Sequence, residues 1–416
     1  MDEEVVDESF FSDNFSDKSK IDVRKTGMEN SFNERQIGSI AIPVEPISSN
    51  CNLDYVLQMF AEQPALEAIP IEENDRVIGI LEKKVVEEST NSAFKRFVAK
   101  TCGGYIKDIP LSFNCSDFLE KIATKANEIA LNYEVKYFIV RVNNRSFYGI
   151  VSVEKINSKL QELQLKDLEK AEEIQQNMLR KNSDTKGFPF DVCIWNKMAN
   201  RVGGDYYVAK KVSDGKYFIG CFDVSGKNFS ASLLTVTLGS IFSMFKMMNT
   251  ENFTVSKIAV ALDSFLQEIV PVGNFITGTI CYVDYKNSQV ELINCGHTNA
   301  FVFLQDGGGK GKIAKLPPTL PPFGMGAVAQ SLTASRKGIY KMPVKPGLQI
   351  DLYSDGLTDM ANEDGIRYDE ERTRQLFLNL FTTDAYSVVK EIEKEVMSWI
   401  KKALLADDVT VMNIRF

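Results

Sequence analysis

The sequence predicts an α+β protein whose C-terminal part is a sandwich of two antiparallel sheets with helices outside. Two apolar, strand-like runs at 206–212 and 216–224 flank Asp214-Gly215, which is a strong hairpin signal. Predicted helices come as consecutive pairs instead of alternating with strands, at 229–247 with 254–270 and at 369–381 with 385–404. Grouped hairpins and helix pairs are typical of stacked antiparallel sheets and not of a doubly wound fold.

The remaining strands of this C-terminal part, residues 186–416, follow from further short apolar runs bounded by turn residues. They are predicted at 192–195, 275–284, 289–294, 299–304, 348–353 and 409–416. The α/β region before them is predicted to join this sandwich through a long linker helix.

Residues 1–36 are acidic, rich in Ser and Asn and poor in aliphatic side chains, so we predict a disordered or weakly ordered arm. Residues 37–156 contain one unit twice: a short strand, a helix, a strand, a turn and a strand that ends in an apolar-Gly-Ile step. The first copy comprises 42–44, 53–62, 67–71 and 75–81, and the second comprises 106–110, 118–130, 137–142 and 145–151.

This duplicated unit resembles a tandem pair of cystathionine-β-synthase (CBS) domains. Such pairs usually form a module that senses adenine nucleotides, so the resemblance implies an adenine nucleotide as a ligand. Nucleotide-binding members often carry Thr or Ser and then Asp after the Gly-Ile step, and here only Ser152 fits that pattern. A folded spacer or a dimerisation module is the alternative.

Residues 157–185 are predicted to form the linker helix. Apolar side chains recur there at a helical mean spacing, and neither Gly nor Pro interrupts residues 157–181. The leucine spacing is too irregular for a regular long coiled coil. An inert strut, a dimeric coiled coil in a homodimer and a switch helix that carries a signal therefore all stay open.

Composition excludes several classes of function. The net charge is −8 with no basic stripe, which argues against a nucleic-acid-binding protein. We find neither a signal peptide at the start nor an apolar run near the ~20 residues needed to cross a bilayer, so we predict no membrane association. Seven cysteines without an export signal indicate reduced thiols and a cytoplasmic location.

Four short acidic motifs stand in a fixed order in the C-terminal part, each at or beside the end of a strand-like run. Their leading candidates are Asp205, Asp223, Asp355 and Asp407. The chain has a single histidine and no CxxC pair, so a zinc site is almost excluded and an oxygen-ligated hard cation, Mg²⁺ or Mn²⁺, is favoured. This set predicts metal-assisted hydrolysis or phosphoryl chemistry.

With these motifs, residues 157–416 resemble the PPM-type (protein phosphatase 2C-like) serine/threonine phosphatases, on the bacterial branch that includes SpoIIE. The motifs that carry the resemblance are GGDYY at 203–207, DVSGK at 223–227, NCGH at 294–297, PG at 346–347 with YSDGLTD at 353–359, and DDVT at 407–410. The resemblance implies an α-β-β-α sandwich with a metal site at one edge. Its implied substrate is a phosphorylated regulatory protein, a STAS-type anti-sigma-factor antagonist.

By the same resemblance, two Mn²⁺ or Mg²⁺ ions would share the site. Asp223 would bridge them, with the carbonyl of Val224 completing one. Asp355 and Asp407 would hold the second ion, and Asp205 would bind a metal directly or through water. In-line attack of a metal-activated water on the phosphoryl group would follow.

Three positions depart from the family pattern or invite another interpretation. Many relatives carry a phosphate-holding Arg where this chain has Asn200, and Arg201 next to it is a candidate replacement. Asp359 stands where relatives usually have Glu. His297 is predicted to be structural, packed in a strand-end turn, with a role as general acid as the alternative.

Two short motifs of this chain are similar to motifs of other functional classes. The GGD motif also occurs in diguanylate cyclases, but those need a second acid where this chain has Tyr206. The glycine- and lysine-rich run 307–312 lacks the spacing of a phosphate loop and predicts a flexible loop. A catalytically weak or inactive phosphatase-like regulator that senses a ligand and binds a partner is the competing hypothesis.

Overall fold

The computed structural model describes residues 32–64, 66–90, 101–106, 111–143, 146–226, 229–245, 253–305, 311–334 and 338–416. The chain divides into two compact units, residues 1–167 and residues 168–416. Of the predicted N-terminal arm, residues 1–31 lie outside the described residues.

The N-terminal unit contains the duplicated motif. The elements of the first copy are β1 (Ile47–Ser48), α1 (Leu53–Glu62), β2 (Ala68–Glu73), β3 (Arg76–Glu82) and α2 (Lys83–Thr90). Those of the second copy are β4 (Ser112–Asn114), α3 (Leu119–Tyr133), β5 (Tyr137–Val142) and β6 (Ser146–Ser152). In each copy the first strand runs parallel to the second and the second antiparallel to the third.

The first strand of each copy differs from the expectation. In the first copy it lies at Ile47–Ser48 and not at 42–44. Ile42 instead exchanges backbone hydrogen bonds with Ile150 of the second copy, at 2.7 and 3.0 Å. Long-range pairing therefore overrides the local strand propensity of this segment. In the second copy the strand begins at Ser112, and residues 107–110 of the predicted strand lie outside the described residues.

Residues 32–36, which the sequence places in the disordered arm, are packed in this unit. Arg35 forms an ion pair with Asp167, and Phe32 meets the edge of Tyr148 with 5.5 Å between ring centroids. The backbone of Gln36 bridges that of Phe118. These partners are distant in sequence, so the composition of the arm alone could not indicate them.

Helix α4 (Val153–Asn182) follows β6 directly and corresponds to the predicted linker helix. It begins in the N-terminal unit and ends in the C-terminal unit. Leu163 is buried in the core of the first unit, and Leu179 is buried in that of the second.

The C-terminal unit contains two five-stranded sheets. The first has the order β14-β11-β10-β9-β8 and the second the order β13-β12-β15-β16-β7, with antiparallel pairing throughout. Their strands are β7 (Asp191–Lys197), β8 (Asp205–Ser213), β9 (Lys216–Val224), β10 (Ile276–Asp284), β11 (Gln289–Cys295), β12 (Ala300–Gln305), β13 (Gly311–Leu316), β14 (Tyr340–Pro343), β15 (Leu348–Tyr353) and β16 (Val409–Arg415).

Helices pack on the outer face of each sheet. They are α5 (Phe229–Met244), α6 (Val255–Ile269), α7 (Val328–Ala334), α8 (Asp355–Asp359), α9 (Asp369–Thr382) and α10 (Val388–Ile400). One apolar core lies between the sheets, a second between the first sheet and α5 and α6, and a third between the second sheet and α9 and α10. The predicted α+β class and the sandwich of two antiparallel sheets are confirmed.

Sequence patterns missed β13 and β14, and both are edge strands. Each carries lysines, at Lys312, Lys315 and Lys341, which weakens an apolar strand signal. Charged side chains are common on edge strands because they discourage pairing with another chain. Residues 307–310 of the predicted flexible loop lie outside the described residues, and the last two, 311–312, belong to β13 instead of a loop. In the described part of the chain, no helix has both the length and the apolar character that a membrane span requires.

Candidate active site

A cavity of about 410 Å³ opens at one end of the sandwich. Both sheets contribute to its wall, through the ends of β9, β10 and β11 and through the segments that follow β15 and precede β16. The residues that line it are Asp223, Val224, Ser225, Gly226, Phe275, Thr277, Gly296, His297, Thr298, Asp355 and Asp407. Three of the four predicted acids therefore share one cavity, although up to 184 residues of sequence separate them.

The fourth acid, Asp205, lies behind this wall and not on it. It is the first residue of β8, stands opposite Asp223 in the β8–β9 pairing and is 2% exposed. The hydroxyl of Thr410 donates a 2.6 Å hydrogen bond to its carboxylate. Burial, and next the charge of Asp223, hold the pKa of Asp205 well above its usual range.

The second acid of the 407–408 pair has a structural task. The Asp408 carboxylate accepts hydrogen bonds from the backbone N–H of Ala199 at 2.8 Å and of Gly204 at 2.7 Å. It thereby holds the turn that leads into Asp205. A Cβ on Gly203 would lie 2.1 Å from this carboxylate, so the turn requires glycine at that position.

Asp355 is positioned by the antiparallel pairing of β15 with β16. It begins α8, directly after Ser354, whose hydroxyl accepts a hydrogen bond from the Thr410 N–H at 2.9 Å. A Cβ on Gly356 would lie 2.0 Å from the backbone oxygen of Asp408. The glycine after Asp355 therefore lets α8 approach the 407–408 segment, which brings Asp355 and Asp407 to the same cavity.

His297 lies at the cavity wall and is 5% exposed. Its ring Nδ1 is 2.8 Å from the hydroxyl of Thr277. Its backbone N–H donates to the side-chain oxygen of Asn294 at 2.9 Å. Burial lowers the pKa of His297 to about 4, so the imidazole is neutral at pH 7. Nε2 has no hydrogen-bond partner among the described residues.

Sequence reasoning missed Thr277, Phe275 and Thr298. The pairing register of β9 with β10 could have indicated Thr277, because it places this residue opposite Asp223. The Thr277 hydroxyl is 3.4 Å from the Asp223 carbonyl. Thr298 connects the two sheets, since its hydroxyl donates to the carbonyl of Tyr353. These threonines tie the acid-bearing strand ends together.

Arg201, the candidate phosphate-holding residue, does not line the cavity. Its guanidinium lies 3.3 Å from Glu169 and 3.4 Å from Glu172 of helix α4. No Lys or Arg contributes to the cavity wall within the described residues, although Lys227 of the DVSGK motif is outside them.

Helix α4 also contacts the turn that precedes Asp205. Gln175 is 2% exposed, donates to the Gly203 carbonyl at 2.8 Å and accepts from the Gly203 N–H at 3.1 Å. The same side-chain amide is 2.6 Å from the hydroxyl of Thr235 in α5. One linker residue therefore joins the GGD turn to the first helix of the sandwich.

The donor set fits a hard divalent cation. The acids that line the cavity offer carboxylate oxygens, with peptide carbonyls beside them, and such oxygens are the ligands that Mg²⁺ and Mn²⁺ prefer. No three acidic, His or Cys side chains in the described parts converge as a ready-made chelating cluster.

Comparison with known proteins assigns this half of the molecule to a family. The model of the stage II sporulation protein E (SpoIIE) family matches residues 213–416. The C-terminal domain is therefore similar to the SpoIIE family over these residues. The PP2C domain of SiaA from Pseudomonas aeruginosa is similar in structure, with a TM-score of 0.52 at 17% identity over 62% of this chain and 98% of that domain. The fold is therefore that of a PP2C phosphatase domain.

Two further relatives resemble the SpoIIE-type domain. The phosphoserine phosphatase RsbP of Bacillus subtilis is 26% identical over 164 residues, which are 38% of this chain and 38% of RsbP. The match thus spans well under half of that relative. The phosphatase domain with a regulatory fragment of SpoIIE from Bacillus subtilis gives a TM-score of 0.42 at 15% identity, covering 56% of this chain and 59% of that one. The CBS-like interpretation of residues 37–156 stays a prediction.

Proposed function

We propose that this protein is a Mn²⁺- or Mg²⁺-dependent phosphatase that hydrolyses phosphoserine or phosphothreonine on a regulatory protein. The observation that carries the proposal is the convergence of Asp223, Asp355 and Asp407 on one cavity of a SpoIIE-type domain. The similar protein RsbP is a phosphoserine phosphatase, which supports the same reaction. A phosphorylated STAS-type anti-sigma-factor antagonist is the substrate that the family resemblance favours.

Two ions would be held by Asp223, Asp355, Asp407 and the carbonyl of Val224, with Asp205 behind Asp223. Bound divalent cations supply a water of lowered pKa and neutralise charge on the phosphoryl oxygens. Asp205 and Asp223 face each other across the β8–β9 pair, and their mutual repulsion favours a cation between the strand ends.

Side chains at the cavity wall determine where the substrate binds. The Thr277 hydroxyl and the neutral His297 fix the β10 and β11 ends of the cavity, where the phosphoryl group would enter. Water adds to phosphorus, the serine or threonine oxygen leaves and takes a proton, and inorganic phosphate is released. With a pKa of about 4, His297 is a neutral imidazole at pH 7 and lacks the imidazolium proton of a general acid, so we assign it a positioning role.

The test is phosphate release by the full chain from a phosphoserine protein, with Mn²⁺ and with chelator, beside the Asp223→Asn variant. We expect activity only with the metal, and a loss of at least about 100-fold in the variant, because it removes a carboxylate that would hold the cations and their activated water. Asp214→Asn is the matched control, since Asp214 lies in an exposed hairpin of the same sheet. Metal-independent turnover, or full activity of Asp223→Asn, would contradict the proposal.

One observation favours the competing hypothesis of a weak or inactive regulator. Arg201 pairs with helix α4, and the described cavity wall contains no cationic side chain to hold phosphate. Mn²⁺ binding by the folded protein without phosphate release from any phosphoserine substrate would support that hypothesis over the enzyme.

We further propose that residues 37–156 act as a sensor module, which controls the SpoIIE-type domain of a homodimer through helix α4. The contacts of Gln175 with Gly203 and Thr235 support a mechanical route from the helix to the turn before Asp205. Deleting residues 1–156 should change activity or oligomeric state. Unchanged activity together with an unchanged oligomeric state would reject this control.

A further inference from the structure

Two cysteines of the N-terminal unit stand next to each other although 50 residues separate them in sequence. Asn52 and Thr101 form an antiparallel bridge, so Cys51 and Cys102 are the next residues opposite each other. The Cys102 N–H donates to the Cys51 carbonyl at 3.0 Å, and the Cys102 thiol is also 3.0 Å from that oxygen. A direct backbone hydrogen bond between two residues brings their Cα atoms near the roughly 4.4–6.8 Å that a disulfide spans.

The Cys102 thiol lies against the backbone of Cys51, at 3.0 Å from its carbonyl oxygen. Burial, and next the neighbouring Cys51, raise the pKa of the Cys102 thiol to about 11. Cys51 is partly exposed, whereas Cys102 is fully buried in the core formed by α1, β2 and β3. An oxidant can therefore reach Cys51 from solvent, and Cys102 is buried next to it.

We propose that Cys51 and Cys102 form a reversible dithiol–disulfide site that responds to hydrogen peroxide. Cys51 thiolate attacks the peroxide, breaks its O–O bond and becomes a sulfenic acid, and the released hydroxide takes a proton to form water. The Cys102 sulfur then attacks the Cys51 sulfur and expels a second water. In total, two thiols and one hydrogen peroxide give one disulfide and two waters, so the two thiols supply the two electrons.

The other cysteines provide contrasts. Cys221 and Cys281 also interact electrostatically with each other, but both are fully buried in the core between the sheets, where peroxide has no access. Cys193 is partly exposed like Cys51, yet its thiol faces the Ala385 carbonyl at 3.4 Å. Exposure combined with a thiol neighbour therefore distinguishes the proposed pair. In reducing compartments such disulfides are typically transient and redox-sensing.

The test uses the reduced full-length chain. It is treated with hydrogen peroxide while folded, the peroxide is removed, the remaining thiols are alkylated after unfolding in denaturant, and the digest is mapped by mass spectrometry. We expect the alkylated cysteines to fall from seven to five, because two are consumed, with one Cys51–Cys102 cross-link that dithiothreitol reverses. Cys51→Ser should abolish the cross-link, and Cys193→Ser should leave it unchanged.

Three outcomes would overturn the proposal: seven alkylated cysteines after treatment, a cross-link between other cysteines, or sulfinic acid on Cys51 with Cys102 still alkylated. The cross-link is mapped in the wild-type chain, so the test gives an answer even if Cys51→Ser does not fold. The measurement reports the oxidation state of each thiol, so the result does not depend on phosphatase activity.

Discussion

At the scale of single residues, two adjacent carboxylates of this protein have separate tasks. Asp407 lines the cavity, whereas Asp408 is 5% exposed and accepts backbone hydrogen bonds from Ala199 and Gly204. Burial raises the pKa of Asp408, and those hydrogen bonds counteract the increase. One residue contributes to the candidate chemistry, and its neighbour holds the turn that brings Asp205 into place.

This division predicts different defects in two matched variants. Asp407→Asn should reduce phosphate release at least about 100-fold and change the free energy of unfolding by less than about 0.5 kcal/mol. Asp408→Asn should lower the free energy of unfolding by about 1–3 kcal/mol, because a buried hydrogen-bond acceptor is lost from the turn. Phosphate release and urea unfolding measure the two effects. The opposite assignment of defects would show that Asp408 faces the chemistry.

A second residue-scale prediction concerns Asp351, fully buried beneath α9. It accepts hydrogen bonds from Asn413 at 2.6 Å and Gln349 at 2.7 Å, with Arg415 nearby. Burial nevertheless raises its pKa to about 7, compared with about 3.9 in an unfolded chain. Between these values the folded state binds more protons than the unfolded state, so stability falls as pH rises from about 4 to 7.

Asp351→Asn should remove this pH dependence and should be more stable than the wild type at pH 8. The new amide can still accept from Asn413, and it buries no charge at pH 8. A flipped Gln349 amide can accept from it through Oε1, at the expense of the 3.3 Å bond from Gln349 to the Phe377 carbonyl. Urea unfolding at pH 5 and pH 8 measures the slope. A wild-type stability that is constant or rises over this range would contradict the raised pKa.

At the scale of elements, helix α4 is bound to the candidate site by polar contacts and not only by packing. Beyond Gln175, its last residue, Asn182, donates to the Tyr206 hydroxyl at 2.7 Å and to the Gly239 carbonyl at 3.0 Å. Tyr206 directly follows Asp205. A displacement of this helix therefore changes hydrogen bonds on both sides of a predicted metal-site residue.

Gln175→Ala should leave the buried N–H and carbonyl of Gly203 without partners, which costs about 1–3 kcal/mol. We expect phosphate release to fall, because the turn before Asp205 loses its support. Gln176→Ala is the control, since the side-chain amide of Gln176 contacts the Met198 sulfur at 3.7 Å and not the turn before Asp205. Activity assays at several Mn²⁺ concentrations measure the effect, and equal activity of both variants would argue against coupling through this contact.

At the scale of the whole domain, the cavity exists only because the two sheets are stacked. Asp223 belongs to one sheet, and Asp355 and Asp407 flank strands of the other. The hydroxyls of Thr410 and Thr298 form bonds between elements of the two sheets, to Asp205 and to the Tyr353 carbonyl. Cation binding and stability of the sandwich should therefore be linked.

Mn²⁺ should raise the unfolding midpoint of the SpoIIE-type domain. A ligand that binds only the folded state stabilises it by about 2.7 kcal/mol at 100 times its Kd. Asp223→Asn should lose most of this shift, while Asp214→Asn should keep it. Thermal unfolding with Mn²⁺ and with chelator gives the comparison, and an equal shift in both variants would place the cation elsewhere.

Much of the fold followed from local sequence patterns. Asp214-Gly215 placed the β8–β9 hairpin, and the paired helices with alternating strands indicated the sandwich, because periodicity and turn chemistry act over a few residues. The lysine-bearing edge strands β13 and β14 and the position of β1 were missed. Their pairing depends on distant partners that local propensity does not encode.

For the candidate site, the sequence by itself determined which acid motifs occur, their order and the class of cation that they favour. Only the tertiary structure decided that Asp407 and not Asp408 lines the cavity, that Asp205 lies behind Asp223, and that Arg201 pairs with helix α4. The physical reason is that a residue type sets its own chemistry, whereas exposure and partners are set by the packing of two sheets whose strands are far apart in sequence.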